Sequence, residues 1–159
     1  MLIFIDTEIW VFAQKVPDPS HYPNELEYKK LMKIHKHSND FLRDQISKND
    51  ISMTYHQFCE IYHSLGFRGM KLPKKFVKTY CNQLLSSKFI HWYQISLEHI
   101  KKAVALSIKN GIHIWDYLCV LPLYKDVDIL YSCDEHFKHS SFQSLGPKVE
   151  NPIKEWVSL

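Results

Sequence analysis

The chain has 159 residues, of which 45% are apolar and 23% are charged, a balance that excludes a disordered chain or a fibrous repeat and suits one globular domain. Only 4 glycines are present, which argues against a β-sandwich with many tight turns and against a glycine-rich phosphate loop. The formal net charge is +3, and because 18 of the 20 basic residues are lysines, a polyanionic partner is permitted without being required.

The chain begins with a pattern that predicts a strand, a turn and a helix. Leu2–Ile5 is a short, continuous apolar run, typical of a strand that is buried on both faces of a parallel sheet, and it ends at Asp6. The apolar positions of Thr7–Gln14 predict a helix, for which Thr7 is a suitable N-cap. Three prolines then mark a loop.

The middle of the chain predicts two helices separated by a short strand. Residues 25–45 have helical spacing, with a potential break near residues 38–39, and residues 51–53 form a brief strand candidate. Thr54 can cap the next helix, which is expected to reach about residue 65. We expect the core stripe of that helix to consist of Tyr55, Phe58, Cys59 and Tyr62.

The second half of the chain continues this alternation. It contains predicted helices over residues 76–89, 97–109 and 114–123, and predicted strands over residues 91–95 and 127–133. The helix over 114–123 is apolar almost all round and is expected to be buried, and to be bent or ended by Pro122. Strands that alternate with helices predict an α/β doubly wound sheet.

Two acidic residues directly follow predicted strands. Asp6 ends the first strand and Asp134 ends the last. Ligands of open parallel sheets bind in the crevice beyond the carboxyl ends of the strands, so the two carboxylates converge if their strands are neighbours. Either residue alone is equally well explained as the cap of the following helix or turn, but the pair favours a ligand site.

Two further acids lie in helical segments. Asp116 stands in an otherwise apolar segment, so its charge needs compensation by a metal ion, a lysine or the positive end of the helix dipole. Glu60 lies away from the predicted core stripe and beside His56 and His63, which for a single glutamate is typical of a solvated side chain. Its assignment to a site therefore depends on the other three acids.

A cluster of these four carboxylates suits metal-assisted phosphodiester hydrolysis. Ligand sets made only of oxygen select hard cations such as Mg²⁺ or Mn²⁺, which lower the pKa of a bound water and so generate the nucleophile. Carboxylates packed together without a metal raise one another's pKa. The pattern therefore predicts metal dependence and loss of activity in acid.

At these residues the sequence resembles the PIN-domain nucleases and, within them, the VapC-type ribonuclease toxins of toxin-antitoxin pairs. The resemblance rests on short motifs in the family's order, which contain Asp6-Thr7, then Glu60, then Asp116, and finally Ser132 with Asp134 and Phe137. The sequence departs from the family at Glu8, where Asn is usual, at Tyr117, where a small residue is common, and at His136, which is often acidic. The motifs extend over nearly the whole chain.

The resemblance implies a PIN-like (Rossmann-like) three-layer α/β fold over residues 1–159, with a central, mostly parallel sheet flanked by helices. It implies that RNA phosphodiester bonds are hydrolysed with Mg²⁺ or Mn²⁺ bound by a catalytic quartet, Asp6, Glu60, Asp116 and Asp134. Thr7 and Ser132 would support these ligands by hydrogen bonds. It further implies that the protein binds a cognate VapB-type antitoxin and forms a homodimer. No membrane partner is expected.

The cysteine pattern and the apolar runs favour a cytoplasmic protein. The 4 cysteines have no C-x-x-C spacing, as expected of reduced, intracellular thiols. The first apolar run is too short for the core of a signal peptide, and the longest one, residues 117–124, is far below the roughly twenty residues that cross a bilayer.

Other functions stay open at this point. A PIN-like domain can also be a non-catalytic RNA-binding or assembly module, or an RNA-processing nuclease without an antitoxin. A zinc site is disfavoured because histidine pairs such as His136 with His139 lack the Cys or Glu context of one. Cys59 beside His56 is better explained by core packing than as a nucleophilic pair, and the lysine clusters are as readily wet helix faces as RNA contacts.

Overall fold

The structure is a computed structural model that describes residues 1–158, in which a five-stranded sheet is flanked by α-helices. The strands are β1 (Leu2–Ile5), β2 (Asp50–Thr54), β3 (Ile90–Tyr93), β4 (Ile129–Tyr131) and β5 (Lys148–Glu150). The helices are α1 (Thr7–Gln14), α2 (Glu25–Lys48), α3 (Tyr55–Phe67), α4 (Lys74–Ser86), α5 (Leu97–Asn110), α6 (Ile114–Val120) and α7 (Ser140–Gln143). Short 3-10 helices at Pro19–His21 and Glu135–Lys138 lie in the connections.

The strand order places the first strand at the centre of the sheet. The order is β3-β2-β1-β4-β5, and each neighbouring pair is parallel. Ile3 of β1 pairs with Ile51 on one side and with Ile129 on the other. Because the chain winds outward from β1 to β3 and then returns to the opposite side of β1, the winding reverses between β1 and β4. A crevice at the carboxyl ends of these strands is where open α/β sheets bind ligands.

Alternate residues of β1 point into two separate cores. Ile3 and Ile5 are fully buried among residues of α1, α2, α3 and α4. Phe4 is fully buried on the opposite face, among residues of α5, α6 and α7. Helices therefore cover both faces of a parallel sheet, and the predicted three-layer α/β fold is confirmed.

The second helix is longer than its sequence pattern suggests. The potential break near residues 38–39 does not occur, because α2 continues unbroken to Lys48. Ser38 is fully buried, and Asn39 Nδ2 donates a hydrogen bond of 3.0 Å to the carbonyl oxygen of Ala13. That carbonyl lies in the last turn of α1, where helix carbonyls lack partners within their own helix. Asn39 thus connects α2 to α1, and neither polar residue ends α2.

The buried face of α3 is not the aromatic stripe that the sequence suggests. Its buried residues are Gln57, Ile61, Ser64 and Leu65, whereas Tyr55 and Tyr62 are 48% and 44% exposed and Cys59 is exposed as well. Gln57 is drawn inside because its Nε2 donates a 2.6 Å hydrogen bond to the carbonyl oxygen of Ile5 at the end of β1. The predicted core stripe is wrong for Tyr55, Cys59 and Tyr62, because Gln57 and the aliphatic residues take the inner face of the helix. It is correct in part for Phe58, which is half-buried and packs against the core.

The apolar segment over 114–123 also differs from the expected helix that is buried all round. α6 ends at Val120, shortly before Pro122, which lacks the N–H that a continuing helix needs. Residues 117–120 are buried, but Trp115 is 52% exposed. No helix within residues 1–158 is long and apolar enough to span a membrane.

Candidate active site

Asp6 and Asp134 lie side by side because the strands that precede them are neighbours. Asp6 follows β1 directly, and Asp134 follows the end of β4 after two further residues. Asp6 is the N-cap of α1 and its Oδ1 accepts a 2.8 Å hydrogen bond from the Thr7 amide. The sequence suggested Thr7 as this cap, which is wrong because Thr7 is already the first helical residue. Both carboxylates are more than 90% buried.

Ser132 links the Asp6 carboxylate to the backbone of Asp134. Its Oγ donates a 2.6 Å hydrogen bond to Asp6 Oδ2 and accepts a 3.0 Å hydrogen bond from the backbone amide of Asp134. Ser132 itself has no exposed surface. A single buried hydroxyl therefore sets the position of an acid on one strand relative to an acid that follows the next strand.

Glu60 reaches the same place from α3. Its Oε2 accepts hydrogen bonds from the Thr7 hydroxyl at 3.1 Å and from the Cys119 thiol at 3.2 Å. His56, one turn earlier on α3, places Nε2 at 3.4 Å from Glu60 Oε1. Glu60 is thus held by contacts with α1 and α6 as well as by its own helix. It faces the crevice because the buried face of α3 includes its neighbour Ile61.

Asp116 approaches from the first turn of α6 and meets a histidine. His136 Nδ1 donates a 2.9 Å hydrogen bond to Asp116 Oδ2 and lies 3.5 Å from Asp134 Oδ1. The backbone amide of His136 donates a further 2.9 Å hydrogen bond to Asp134 Oδ1. His136 therefore links the acid of α6 to the acid that follows β4.

All four predicted acids line one cavity of about 630 Å³. Thr7 lines it as well, whereas Ser132 lies behind the carboxylates that it supports. The cavity also contains residues that the sequence did not single out as site residues: Glu8, Arg68, His113, Trp115, Cys119 and His56. Cys119, expected to be a small core residue, is buried but forms part of the cavity wall.

Sequence spacing carries a signal for three of these unexpected residues. Glu8 is two residues after Asp6 at the start of α1, and His56 precedes Glu60 by one helical turn. Cys119 follows Asp116 by three residues on α6 and therefore shares its face of the helix. Each could have been found by asking which side chains neighbour an acid on the same helix.

Two of the predicted acids, Asp6 and Asp116, hold their protons more tightly than solvated carboxyl groups do. Burial raises the pKa of Asp6 well above its ordinary value, and the charges of Asp116 and Asp134 raise it further, against the opposing hydrogen bond from Ser132. Burial and the charge of Asp134 raise the pKa of Asp116 to about 6, although His136 acts in the opposite direction. The cluster is therefore short of positive charge.

Glu8 and Glu60 differ in how their charge is compensated. Burial raises the pKa of Glu8 to about 7 even though Arg68 is nearby. Burial also acts on the pKa of Glu60, but His56 and the Cys119 thiol outweigh it, so that the pKa lies below its ordinary value. Glu60 therefore ionises more readily than a solvated glutamate, whereas Glu8 ionises less readily.

The donor set fits a hard divalent cation. Within residues 1–158, the basic side chains that lie within 4.0 Å of Glu60, Asp116 and Asp134 are histidines, and Asp6 is bonded to neutral groups. A concentration of carboxylate oxygens without a lysine or arginine partner is the environment that Mg²⁺ or Mn²⁺ prefers. Asp116, Asp134 and His136 also offer ligand atoms that all lie within 4.8 Å of one another.

Comparison with known proteins finds similar structures but no matching sequence family. Neither protein-family models nor curated proteins match the chain. The solved structure of VapC20 from Mycobacterium tuberculosis, described as a sarcin-ricin loop cleaving toxin, has a TM-score of 0.63 and 13% identity over 88% of this chain and 95% of that one. VapBC2 from Rickettsia felis, bound to a DNA fragment from its promoter, has a TM-score of 0.59 and 15% identity over 95% of this chain and 98% of that one.

At these identities the likeness establishes the fold. The chain has the three-layer α/β fold of the VapC toxins, and the resemblance to them seen in the sequence is confirmed at that level. The matches cover 88% and 95% of this chain, so the likeness extends over most of the fold.

Proposed function

We propose that this protein is a metal-dependent endoribonuclease of the VapC type, which hydrolyses RNA phosphodiester bonds. The observation that carries the proposal is the convergence of Asp6, Glu60, Asp116 and Asp134 on one cavity at the switch point of a VapC-like sheet. These acids come from four separate parts of the chain, and core packing alone gives no reason to collect them.

In this proposal the four carboxylates hold Mg²⁺ or Mn²⁺ and present it to the scissile phosphate. When bound, such an ion acts as a Lewis acid and lowers the pKa of a bound water towards neutrality. Ser132 and Thr7 fix the orientations of Asp6 and Glu60, so that little reorganisation is needed when the ion binds.

The proposed substrate and partners follow from the structural neighbours. One neighbour is described as a toxin that cleaves the sarcin-ricin loop, which supports structured cytoplasmic RNA as the substrate class. The other is a VapBC assembly, which supports a cognate antitoxin of the VapB type as the partner that holds the nuclease inactive. We further propose a homodimer as the toxin's own assembly.

The test is cleavage of structured RNA by the purified full chain with Mn²⁺, with Mg²⁺ and with a chelator. We expect cleavage only with a divalent ion, and its loss in Asp6→Asn. Asp44→Asn is the matched control, because Asp44 is a partly exposed acid of α2 that pairs with Lys48 far from the cavity. Metal-independent cleavage, or full activity of Asp6→Asn, contradicts the proposal.

Calorimetric titration with Mn²⁺ separates an inactive relative from an active enzyme. A module that has lost its metal site binds the ion no better than Asp6→Asn does, whereas the proposed nuclease binds it specifically. Specific binding without cleavage would indicate a wrong RNA substrate, since the metal site would then be intact.

A further inference from the structure

One wall of the cavity combines three metal-binding groups of different chemistry. His56, Glu60 and Cys119 offer a nitrogen, an oxygen and a sulfur, and these ligand atoms all lie within 4.8 Å of one another. The closest approaches are 3.2 Å between Cys119 Sγ and Glu60 Oε2 and 3.4 Å between His56 Nε2 and Glu60 Oε1. This set differs from the carboxylates on the opposite wall, because it contains only one oxygen donor.

His56 is oriented towards these partners and lacks a hydrogen bond of its own. Its Nε2 is buried and has no hydrogen-bond partner among residues 1–158. The ring stacks on Trp115 with a centroid separation of 5.0 Å and an interplanar angle of 19°, which fixes its plane. Buried polar atoms normally form a hydrogen bond, whereas this nitrogen has only the 3.4 Å approach to Glu60 Oε1, so it is available to bind a cation together with that carboxylate.

Cys119 is a thiol that a cation could deprotonate. Its side chain is only 2% exposed, and its one hydrogen bond among residues 1–158 is donated to Glu60. A divalent cation binds the thiolate form, so the thiol proton is released to solvent when sulfur becomes a ligand.

We infer that His56, Glu60 and Cys119 form a site for a borderline-soft divalent cation of the zinc class, distinct from the oxygen-rich site but sharing Glu60 with it. Nitrogen, thiolate and carboxylate ligands are the set that Zn²⁺ takes in proteins, with a fourth position left for water or another ligand. The open cavity lies on the remaining side of the three groups.

The three groups are close enough together for one ion to bind them. With the usual zinc bond lengths, neighbouring ligand atoms lie about 3.3–3.5 Å apart. Cys119 Sγ lies 3.2 Å from Glu60 Oε2 and His56 Nε2 lies 3.4 Å from Glu60 Oε1, and one ligand atom of each residue lies within 4.8 Å of the other two. His56 and Glu60 are one turn apart on α3, so two of the three ligands are already held on one helix face.

Occupation of this site has a consequence for cleavage, and this part rests on the proposed function. Glu60 cannot serve fully as a ligand for both ions, so Zn²⁺ at this site withdraws one carboxylate from the Mg²⁺ or Mn²⁺ site. We expect Zn²⁺ to lower Mn²⁺-dependent cleavage in the wild type, and Cys119→Ser to be less sensitive to Zn²⁺.

The binding itself is tested with Co²⁺, which substitutes for Zn²⁺ and gives a near-ultraviolet charge-transfer band when a thiolate is its ligand. The full chain is stripped of metal, kept reduced with a phosphine and titrated with Co²⁺. We expect a band that saturates at one equivalent and disappears when Zn²⁺ is added. A wild type without this band overturns the inference.

Two cysteines of the same cavity provide a matched pair of variants. Cys119→Ser is expected to lose the band, whereas Cys59→Ser is expected to keep it, because Cys59 lines the cavity outside the three-residue set. A band that persists in Cys119→Ser, or one lost only in Cys59→Ser, overturns the inference. His56→Gln, at a partly exposed position that tolerates replacement more readily, should weaken Co²⁺ binding by more than about tenfold.

Asp6→Asn keeps this inference separate from the proposed function. The band is expected to survive in Asp6→Asn, because Asp6 belongs to the oxygen-rich side. If Asp6→Asn cleaves RNA normally while the band behaves as expected, the nuclease proposal fails and the zinc-class site stands. If cleavage behaves as proposed but no sulfur band is found, only the zinc-class site fails.

Discussion

The two walls of the cavity hold their side chains in different ways. On the strand side, Asp6 and Asp134 follow neighbouring parallel strands and are joined through the buried hydroxyl of Ser132. On the helix side, Glu60 and Cys119 come from α3 and α6, and their positions depend on how each helix is rotated. The strand side is fixed by the backbone of the sheet, whereas the helix side is fixed by packing.

The two walls also differ in the chemistry of their metal-binding groups. The strand side presents buried oxygen ligands whose charge is poorly compensated, since the pKa of Asp6 is raised. The helix side presents mixed donors around Glu60, whose pKa is lowered by its neighbours. A hard cation is therefore expected to depend most on the strand side, and a softer one on the helix side.

The largest expected effect is the loss of cleavage when a strand-side acid is neutralised. Asp134→Asn should lower kcat/KM with Mn²⁺ by more than about 100-fold, because losing a direct ligand exceeds the roughly 10–100-fold cost of losing an outer partner. Glu60→Gln should lower kcat/KM by a smaller factor, because the amide oxygen can still accept the hydrogen bond from the Thr7 hydroxyl. Kinetics on structured RNA measure both, and a greater loss in Glu60→Gln would reverse the assignment of the two walls.

The next effect concerns the hydroxyl that joins the strand-side acids. Ser132→Ala removes the hydrogen bonds to Asp6 and from the Asp134 amide, and should weaken Mn²⁺ binding about 10–100-fold. Ser86→Ala, at an exposed position of α4, is the control and should bind normally. Calorimetry measures both affinities, and equal affinities would mean that the carboxylates need no such support.

A smaller effect is expected from pH. The pKa of Asp116 is raised to about 6, so its proton competes with a metal below that value. Between pH 8 and pH 5 this one group should weaken Mn²⁺ binding about tenfold, and protonation of Asp6 should weaken it further. Titrations at the two pH values test this, and an affinity that is independent of pH would contradict the clustering of these acids.

The smallest effect is on the stability of the metal-free protein. A carboxyl group whose pKa is higher in the folded state binds more protons there, so the free energy of unfolding falls as pH rises from the unfolded pKa through the folded one. Asp116→Asn removes this penalty and should raise the free energy of unfolding by about 1–2 kcal/mol at pH 8. Each kcal/mol should raise Tm by about 2–4 °C. The gain should largely vanish at pH 4, where the folded carboxyl group is already neutral.

Thermal unfolding at pH 8 and pH 4 measures this difference. Asp44→Asn serves as the control, since its partly exposed carboxylate forms a surface pair with Lys48. A gain for Asp116→Asn that is equal at both pH values would point to packing and not to charge. At pH 8, saturating Mn²⁺ should make the wild type more stable than Asp116→Asn, because the metal stabilises only a chain that can bind it.

The strand side of the site could be predicted from the sequence. Asp6 follows a short apolar run, and a strand that ends there places the next side chain at the edge of the sheet. Ser132 and Asp134 repeat this pattern after β4. A strand has only two faces and one direction, so its boundary alone places the residue that follows it.

The helix side could not be predicted in the same way. Tyr55 and Tyr62 form an attractive apolar stripe in the sequence, but the structure leaves them half-exposed and buries Gln57 instead. Gln57 donates a hydrogen bond to the carbonyl oxygen of Ile5 at the end of β1, which also accepts one from Trp10 Nε1. A partner on a distant strand is invisible to a local pattern, so the rotation of α3 was misjudged.

The local sequence patterns are enough to predict the alternation of strands and helices, the parallel sheet, and the acids that follow β1 and β4. Local patterns suffice there, because strand direction and strand ends are properties of short segments. The tertiary structure was needed to show that Glu60 accepts hydrogen bonds from both Thr7 and Cys119. It was also needed to show that His136 links Asp116 to Asp134, and that Cys59 is exposed whereas Cys119 is buried. These contacts connect residues far apart in the chain, and long-range packing, not periodicity, sets which face of each helix meets them.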